Sequence, residues 1–227
     1  FDNSYYYDDD YFINSNPNNM DWAGNVNFTI MAWIKTSYCG SSGTKFVEKK
    51  QSGNEYISLQ CEDGINTFFI DLRDSNSVST NVQSNSIIND NKWHLILAVK
   101  NENNLYVYVD GKYENSGSAS FTGNFNDGEL RVGDSIDSGD RYTLGQIDEV
   151  AIWNRSLTNQ EIFRLYDKGR YKLLHNAKDV ENSTDVLYNL TSMPLSAQDG
   201  MVLLMHFNND SDVGESDTLV YDWSGQG

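Results

Sequence analysis

Residues 145–169 read GQIDEVAIWNRSLTNQEIFRLYDKG, a strand-like segment followed directly by one convincing helix. Thr158 is placed to cap the first helical turn, and Glu161, three residues later, can reach back to the Thr158 amide, which is the capping-box arrangement. Gly169 is predicted to end the helix. The apolar stripe of this short helix consists of Ile162, Leu165 and Tyr166.

Most other segments alternate apolar and polar residues over five to eight positions, which is typical of antiparallel strands with one solvated face. In NFTIMAWIKTS (27–37), alternate residues from Phe28 to Ile34 share one side and those from Thr29 to Lys35 the other. In LYVYVDGK (105–112), Asp110 and Gly111 supply the positive-φ chemistry of a hairpin turn. Further strands are predicted in EYISLQCE (55–62), TFFIDLR (67–73) and WHLILAVK (93–100). The pattern predicts an all-β, two-sheet antiparallel jelly-roll sandwich with one short late helix.

The composition limits the classes of partner. The net charge of −17 and the pI near 4.3 argue against nucleic acid and anionic lipid, which the acidic surface would repel. Mean hydropathy is −0.58, and no apolar run approaches ~18 residues, so we expect no membrane insertion and no remaining signal peptide. Because Phe1 is not an initiator Met, we interpret the chain as a mature, processed or excised fragment.

Cysteines and sequons both favour an extracellular or cell-surface location. A bridge between Cys39 and Cys61 would contribute about 3 kcal/mol in the chain-entropy model, and two unpaired buried thiols are the alternative. Some sequons are expected by chance in a chain this rich in asparagine. The Asn-x-Ser/Thr sequons begin at Asn27, Asn154, Asn182, Asn189 and Asn209.

Three ordered motifs carry a family resemblance: residues 27–37, NKWHLILAVKNENNLYVYVDGK (91–112) and residues 145–169. Together they resemble laminin-G-like modules of the concanavalin A-like lectin and glucanase superfamily over about residues 1–170. The resemblance implies the sandwich fold. It says less about function, because one superfold hosts lectins, adhesion modules, structural domains and glycan hydrolases.

The opening strand of such a module is missing from the front of this sequence. FDNSYYYDDDYFIN (1–14) resembles the Phe-Asp-Gly motif that normally follows that strand. A segment resembling the strand itself, MVLLMHFNNDSDVGESDTLVYDWSGQG, lies at the back, so residues 200–227 would be an opening strand and 171–199 a connector. Three explanations remain open: residues 201–227 start the next repeat of an array, complete their own sandwich, or complete a neighbouring subunit.

The resemblance also implies candidate sites. A structural calcium would take a carboxylate from Asp148 and another from Asp222, with carbonyls near Ser224 and Gly225, whereas a strand-end cap and an Asx-turn are the alternative roles of the two acids. The Glu-x-Asp-x-(x)-Glu pattern of glycan hydrolases of this fold is missing; Asp148 and Glu149 are adjacent and would face opposite sides of a strand. No residue constellation identifies a sugar site.

The sequence therefore predicts a non-catalytic extracellular binding or adhesion module, stabilised by calcium, whose ligand is a glycan or a surface protein. The alternative is a structural subunit of a filament or repeat array that self-associates by strand exchange through residues 200–227. Glycan hydrolysis is the third and weakest hypothesis, since a same-strand pair of carboxylates is not found.

Overall fold

Strands dominate the computed structural model of the protein, which describes residues 12–14, 20–41, 43–50, 55–125, 128–135, 142–174 and 199–205. A single helix, α1, spans Asn159–Leu174 within these ranges. The strands are β1 (Phe12–Asn14), β2 (Trp22–Ala23), β3 (Phe28–Thr36), β4 (Thr44–Lys50), β5 (Tyr56–Cys61), β6 (Thr67–Arg73), β7 (Ser79–Ile87), β8 (Trp93–Asn101), β9 (Asn104–Val109), β10 (Lys112–Ser118), β11 (Asn124–Phe125), β12 (Glu129–Val132), β13 (Gly145–Trp153) and β14 (Met201–Met205).

The strands form two six-stranded antiparallel sheets, as the sequence predicts. Sheet I has the order β1-β12-β4-β5-β6-β7, and sheet II has the order β10-β9-β8-β3-β13-β14. A third, two-stranded sheet joins β11 to β2. The Asp110–Gly111 turn between β9 and β10 has φ values of 52° and 74°, so the predicted hairpin is confirmed.

Two apolar layers hold these elements together. The first lies between the sheets and takes alternate residues of β3, Phe28, Ile30, Ala32 and Ile34, together with Leu105, Val107 and Val109 of β9. The second lies between sheet II and α1, where Met31 and Trp33 pack with Ile162 and Leu165. Sheet II is therefore apolar on both faces, and β3 is buried at every position except Lys35. Burial of this kind is the main stabilising term of the sandwich.

Helix α1 begins as the sequence predicts but ends later. The Glu161 N–H donates to Thr158 Oγ1 at 3.3 Å and the Thr158 N–H donates to Glu161 Oε2 at 2.8 Å, which is the capping box. The prediction that Gly169 ends the helix is wrong, since α1 continues to Leu174. A Cβ at position 169 would lie 2.5 Å from Trp33 Nε1, so the glycine permits close packing against sheet II instead.

A β-bulge in β13 changes the expected orientation of two acidic residues. The pairing of β13 with β3 shifts between Asp148 and Ala151, and Glu149 has a φ of 51°. Ile147 and Val150 both face the layer between the sheets. The two residues between them, Asp148 and Glu149, therefore occupy the space that a single residue takes in a regular strand. The expectation that these neighbours occupy opposite faces is therefore wrong.

Strand β14 lies at the edge of sheet II, antiparallel to β13. All five of its side chains are buried, and they contribute to both apolar layers. The turn before it is attached to the end of β13, where the Asn154 N–H donates to the Gly200 carbonyl at 2.8 Å. Within this chain, the apolar segment MVLLM thus covers the β13 side of the sandwich.

The opposite side of the sandwich is closed by side chains. Glu114, at a bulge in β10, accepts hydrogen bonds from the N–H groups of Asn85 and Ser86 at 2.7 and 2.9 Å. The Asn85 side chain donates back to the Glu114 carbonyl at 2.9 Å. These contacts join β7 of sheet I to β10 of sheet II, although the two strands do not form a ladder.

Candidate functional site

The outer face of sheet I carries a polar group of four residues, Tyr56 and Ser58 on β5 and Asp71 and Arg73 on β6. Their sequence neighbours Ile57, Leu59, Ile70 and Leu72 point into the core. Because side chains alternate along a strand, the four polar residues face away from the core. We call this group the four-residue polar site.

The register of β5 and β6 fixes the geometry of this site. Tyr56 pairs with Arg73, and Ser58 pairs with Asp71. Residues opposite each other on antiparallel strands lie about 5 Å apart, and residues two apart on one strand lie about 7 Å apart. The four side chains therefore leave the sheet from the corners of a rectangle whose long side runs along the strands.

One diagonal of the rectangle is a hydrogen bond, in which the Tyr56 hydroxyl donates to Asp71 Oδ2 at 3.1 Å. Burial and the Asp71 charge raise the pKa of Tyr56 to about 12, so the phenol keeps its proton and remains a donor. Burial raises the pKa of Asp71 above its ordinary value, against the hydrogen bond from Tyr56 and the charge of Lys45. The pair is held in one arrangement across the two strands.

The other two corners carry polar atoms that lack a partner. Ser58 is fully buried, and its Oγ finds no hydrogen-bond partner among the residues the structure describes. The buried Nε of Arg73 is likewise without an acceptor in that part of the chain. Buried polar groups are almost always hydrogen-bonded, because leaving one unpaired costs about 1–3 kcal/mol. Both atoms are also closed to solvent, so the accessible part of the site consists of Tyr56, Asp71 and the rest of the Arg73 side chain, all half-buried.

A charged network borders the site on the β4 side. Glu48 of β4 pairs with Ser58 and is buried, and Ser135 Oγ donates to Glu48 Oε2 at 2.9 Å. Lys45 Nζ lies 3.9 Å from Glu48 Oε1. Arg131 of β12 donates to Asp134 Oδ2 at 2.8 Å. These charges compensate one another.

The calcium ligands predicted from the family resemblance are only partly described. Asp148 lies on β13 opposite Trp33, and its Oδ1 accepts a hydrogen bond from the Glu149 N–H at 2.8 Å. Asp222, Ser224 and Gly225 fall outside the described residues, so the set is not brought together here. Within the described ranges, no group of three or more His, Cys, Asp or Glu residues could hold a metal ion. Glu149, which is 1 % exposed beside Asp148, was not among the predicted ligands.

The predicted disulfide and sequon residues also lie partly inside and partly outside the described ranges. Cys39 and Cys61 form a disulfide that ties the segment after β3 to the end of β5. Of the sequon residues, Asn154 is exposed, whereas Asn27 is half-buried and its Oδ1 accepts from the Glu102 N–H at 2.7 Å. Asn182, Asn189 and Asn209 lie outside the described part of the chain. The one helix in the described ranges, α1, is not long and apolar enough to span a membrane.

The family is decided by a match to the laminin-G model of the concanavalin A-like lectin/glucanases superfamily, which covers residues 8–163. The chain belongs to this superfamily. Among curated proteins, none matches it by sequence. The recognition made from residues 27–37, 91–112 and 145–169 is therefore confirmed.

Several of the solved structures with a similar fold are binding domains of toxins. The binding domain of Paraclostridial Mosquitocidal Protein 1 is 16% identical, with a TM-score of 0.59, over 70% of this chain and 41% of that one. The receptor binding domain of botulinum neurotoxin D is 18% identical, with a TM-score of 0.55, over 70% and 41%. The binding domain of botulinum neurotoxin serotype G is 17% identical, with a TM-score of 0.53, over 70% and 42%. This chain thus matches less than half of the length of each of these three proteins. The likeness establishes the jelly-roll fold alone.

Proposed function

We propose that this superfamily member is a non-catalytic extracellular binding and adhesion module, which holds a glycan or a surface protein on the outer face of sheet I. The observation that supports this most is the group of half-buried polar side chains on that face, Tyr56, Asp71 and Arg73, in which a hydrogen bond holds Tyr56 and Asp71 together. A glycan is favoured over a protein, because its hydroxyl groups can donate to Asp71 and accept from Arg73. The toxin domains of the same fold are described as binding domains, which agrees with this class.

Two features favour binding over catalysis and an extracellular setting over an internal one. Glu48 and Asp71 lie on strands separated by β5, and each already has a hydrogen-bonded hydroxyl partner, so they do not resemble the same-strand acid pair of hydrolases. The Cys39–Cys61 disulfide is the kind of cross-link that persists in oxidising compartments.

The test is a glycan array followed by calorimetric titration of the best ligand into wild type, Tyr56→Phe and a control variant. Tyr56→Phe removes the hydroxyl that holds Asp71 in place, so we expect weaker binding by roughly ten-fold. Asp63→Ala, in the exposed turn between β5 and β6, is the control and should bind like wild type. Silence across the array would remove the glycan version, and turnover of a polysaccharide panel would contradict the non-catalytic assignment.

Calcium is proposed as a structural ligand at the bulge of β13. Asp148 and the buried Glu149 offer hard oxygen donors on irregular backbone, which is the chemistry that Ca²⁺ takes, and Asp222 with carbonyls near Ser224 and Gly225 would complete the set. When bound, the ion would neutralise buried carboxylates and join the end of the chain to sheet II. We expect chelation to lower the melting temperature of wild type but not of Asp148→Asn. An identical melting temperature with calcium and with chelator would contradict the proposal.

The alternative function, a filament or array subunit built by strand exchange, is favoured by one feature of β14. The strand is an edge strand with five buried side chains, and residues 175–198 separate it from α1. A long connector would let the same strand complete a neighbouring sandwich. Light scattering across protein concentration, with and without calcium, tests this. A folded species that stays strictly monomeric throughout would rule out exchange.

A further inference from the structure

Aromatic side chains form an exposed patch on the outer face of sheet II, beside α1. Tyr108 of β9 belongs to the apolar layer between sheet II and α1, and Tyr106, two residues earlier, packs against that layer. Tyr113 of β10 pairs with Tyr108 and is 53 % exposed. Phe163 of α1 is 56 % exposed. We call these four residues the aromatic patch, and exposed clusters of this kind mark interaction sites.

Helix α1 brings Phe163 to the patch. The Tyr108 hydroxyl donates to Asn159 Oδ1 at 2.8 Å, so the first turn of α1 lies beside β9. Phe163 follows Asn159 by one helical turn and therefore lies on the same side of α1. The helix then passes the β9–β10 turn, where a Cβ at Gly111 would lie 2.9 Å from the Tyr166 Cβ. Phe163 is thus held between two contacts of α1 with this hairpin.

The rings of the aromatic patch are held at steep angles to one another. The Tyr113 ring is inclined by 60° to that of Tyr106 and by 71° to that of Tyr108, with centroids 6.3 and 5.9 Å apart. The Tyr113 hydroxyl donates to Ser116 Oγ at 3.1 Å. Rings at such angles cover less of each other's faces than stacked rings do. Because these rings are already ordered, a partner that binds them loses little further side-chain entropy.

The electrostatics of the patch favour a cation. Lys112 is the one basic residue within 104–118, and it pairs with Val109, whose side chain lies in the layer between the sheets. Paired residues share a face of the sheet, so Lys112 points away from the tyrosines. The face of an aromatic ring is the negative part of its quadrupole. The protein also carries a net charge of −17, which attracts basic partners over long distances.

We propose that the aromatic patch binds a basic segment of a partner protein, with an arginine side chain of that segment against the exposed rings. A cation over a ring face is attracted by the ring quadrupole. A guanidinium is planar, stacks on aromatic rings and is more weakly hydrated than an ammonium, so arginine suits a half-exposed patch better than lysine. This surface lies on the other sheet from the four-residue polar site, and it does not depend on the function proposed above.

Two other kinds of partner fit the patch less well. The net charge of −17 would repel an acidic segment, and the ring faces would offer it no donor. An uncharged apolar segment would gain only the area that it buries. A basic segment gains the cation–π contacts and the long-range attraction as well.

The test is an NMR titration with the peptide Gly-Arg-Gly-Arg-Gly and with the same peptide carrying citrulline, an uncharged isostere, in place of arginine. We expect the arginine peptide to shift the signals of the aromatic patch and to bind at least roughly ten-fold more tightly than the citrulline peptide. Tyr113→Leu keeps an apolar side chain but removes the ring, and should weaken binding of the arginine peptide by roughly three- to ten-fold. Tyr113→Phe keeps the ring and should bind like wild type.

The matched control is Tyr38→Leu, which removes an exposed tyrosine from the segment after β3 and should bind like wild type. If Tyr113→Leu also binds like wild type, the attraction comes from net charge alone and the inference is overturned. Equal binding of the citrulline peptide would make the patch an apolar site and would overturn the inference too. Phe163→Leu supplies a second measurement should Tyr113→Leu unfold, since loss of this exposed ring must weaken binding in a folded protein.

Discussion

The Gly123 N–H donates to Asp74 Oδ2 at 2.6 Å and thereby joins the β6–β7 turn to the segment before β11. Asp74 is 1 % exposed, and its carboxylate also accepts from the N–H groups of Thr122, Asn76 and Val78 at 2.8–3.0 Å. One side chain thus satisfies four backbone donors from two segments. A Cβ at position 123 would lie 2.6 Å from the Asn76 nitrogen, which is why a glycine occupies it.

Replacing Asp74 by alanine should therefore be strongly destabilising. The four donors would lose a charged acceptor together, so we expect a loss of about 3 kcal/mol or more in the free energy of unfolding. Urea denaturation followed by fluorescence measures it. Asp63→Ala is the control, and a loss below about 1 kcal/mol for Asp74→Ala would contradict this role.

Gly169→Ala should destabilise the protein although alanine is the better helix former. Helix propensity alone predicts a gain of about 1 kcal/mol. The added methyl group would instead meet the Trp33 indole, whose nearest atoms are 2.5–2.8 Å from the Cβ position, and overpacking of this kind costs about 1–3 kcal/mol. The melting temperature shows whether the variant is more stable than wild type, as helix propensity predicts, or less stable, as overpacking predicts. Phe163→Ala, on the exposed side of α1, is the control, and a more stable Gly169→Ala would disprove the packing argument.

Reduction of the Cys39–Cys61 disulfide should lower stability by about 3 kcal/mol, because the bridge closes a loop between residues 22 apart in sequence. The measurement compares denaturation midpoints with and without reductant. The double variant Cys39→Ala, Cys61→Ala should have the denaturation midpoint of the reduced wild type, both with and without reductant. Equal midpoints for oxidised and reduced wild type would show that the bridge adds nothing.

His94 should make stability fall as the pH rises above neutrality. Its Nδ1 lies 2.9 Å from Asp110 Oδ2 and its Nε2 3.0 Å from Asp90 Oδ1, so a protonated ring donates to both carboxylates. Burial lowers the pKa of His94, but these hydrogen bonds and charges outweigh burial and raise it above 6.5. A raised pKa contributes stability that is complete below the unfolded pKa and is lost as the pH passes the folded pKa.

The difference in unfolding free energy between wild type and His94→Gln should therefore be largest below about pH 6.5 and shrink over the pH window above it. Hydrogen bonds from Lys92 and His94 outweigh burial and lower the pKa of Asp90 to about 2, so the Asp90 carboxylate stays charged throughout this window. A difference that is constant or grows with pH would refute the assignment.

Much of the fold could be predicted because local chemistry decides it. Alternation in residues 27–37 and 105–109 places the core-facing side chains, and Thr158 with Glu161 determines where α1 begins. The end of α1 could not be predicted, since the reason for Gly169 is the distant Trp33 ring. The bulge at Glu149 could not be predicted either, because an extra residue in a strand is visible only in its pairing with β3.

The four-residue polar site was missed for a related reason. The alternation in EYISLQCE places Tyr56 and Ser58 on one face of their strand, and the alternation in TFFIDLR does the same for Asp71 and Arg73. The sequence shows nothing more of the site than these two pairs. Which residue of β5 lies opposite which residue of β6 depends on the turn between the strands. Whether a hydroxyl such as that of Ser58 is satisfied depends on the whole surrounding surface.

The Glu114 contacts between β7 and β10 restrict how the two sheets can separate. With this edge held by side chains, we expect a partial opening of the described sandwich to begin at the other edge, between β1 and β14. Amide hydrogen exchange should then be faster there than at β7, and a mechanical load applied through β14 would peel that strand first. Glu114 would thus give the domain a fixed direction of unfolding.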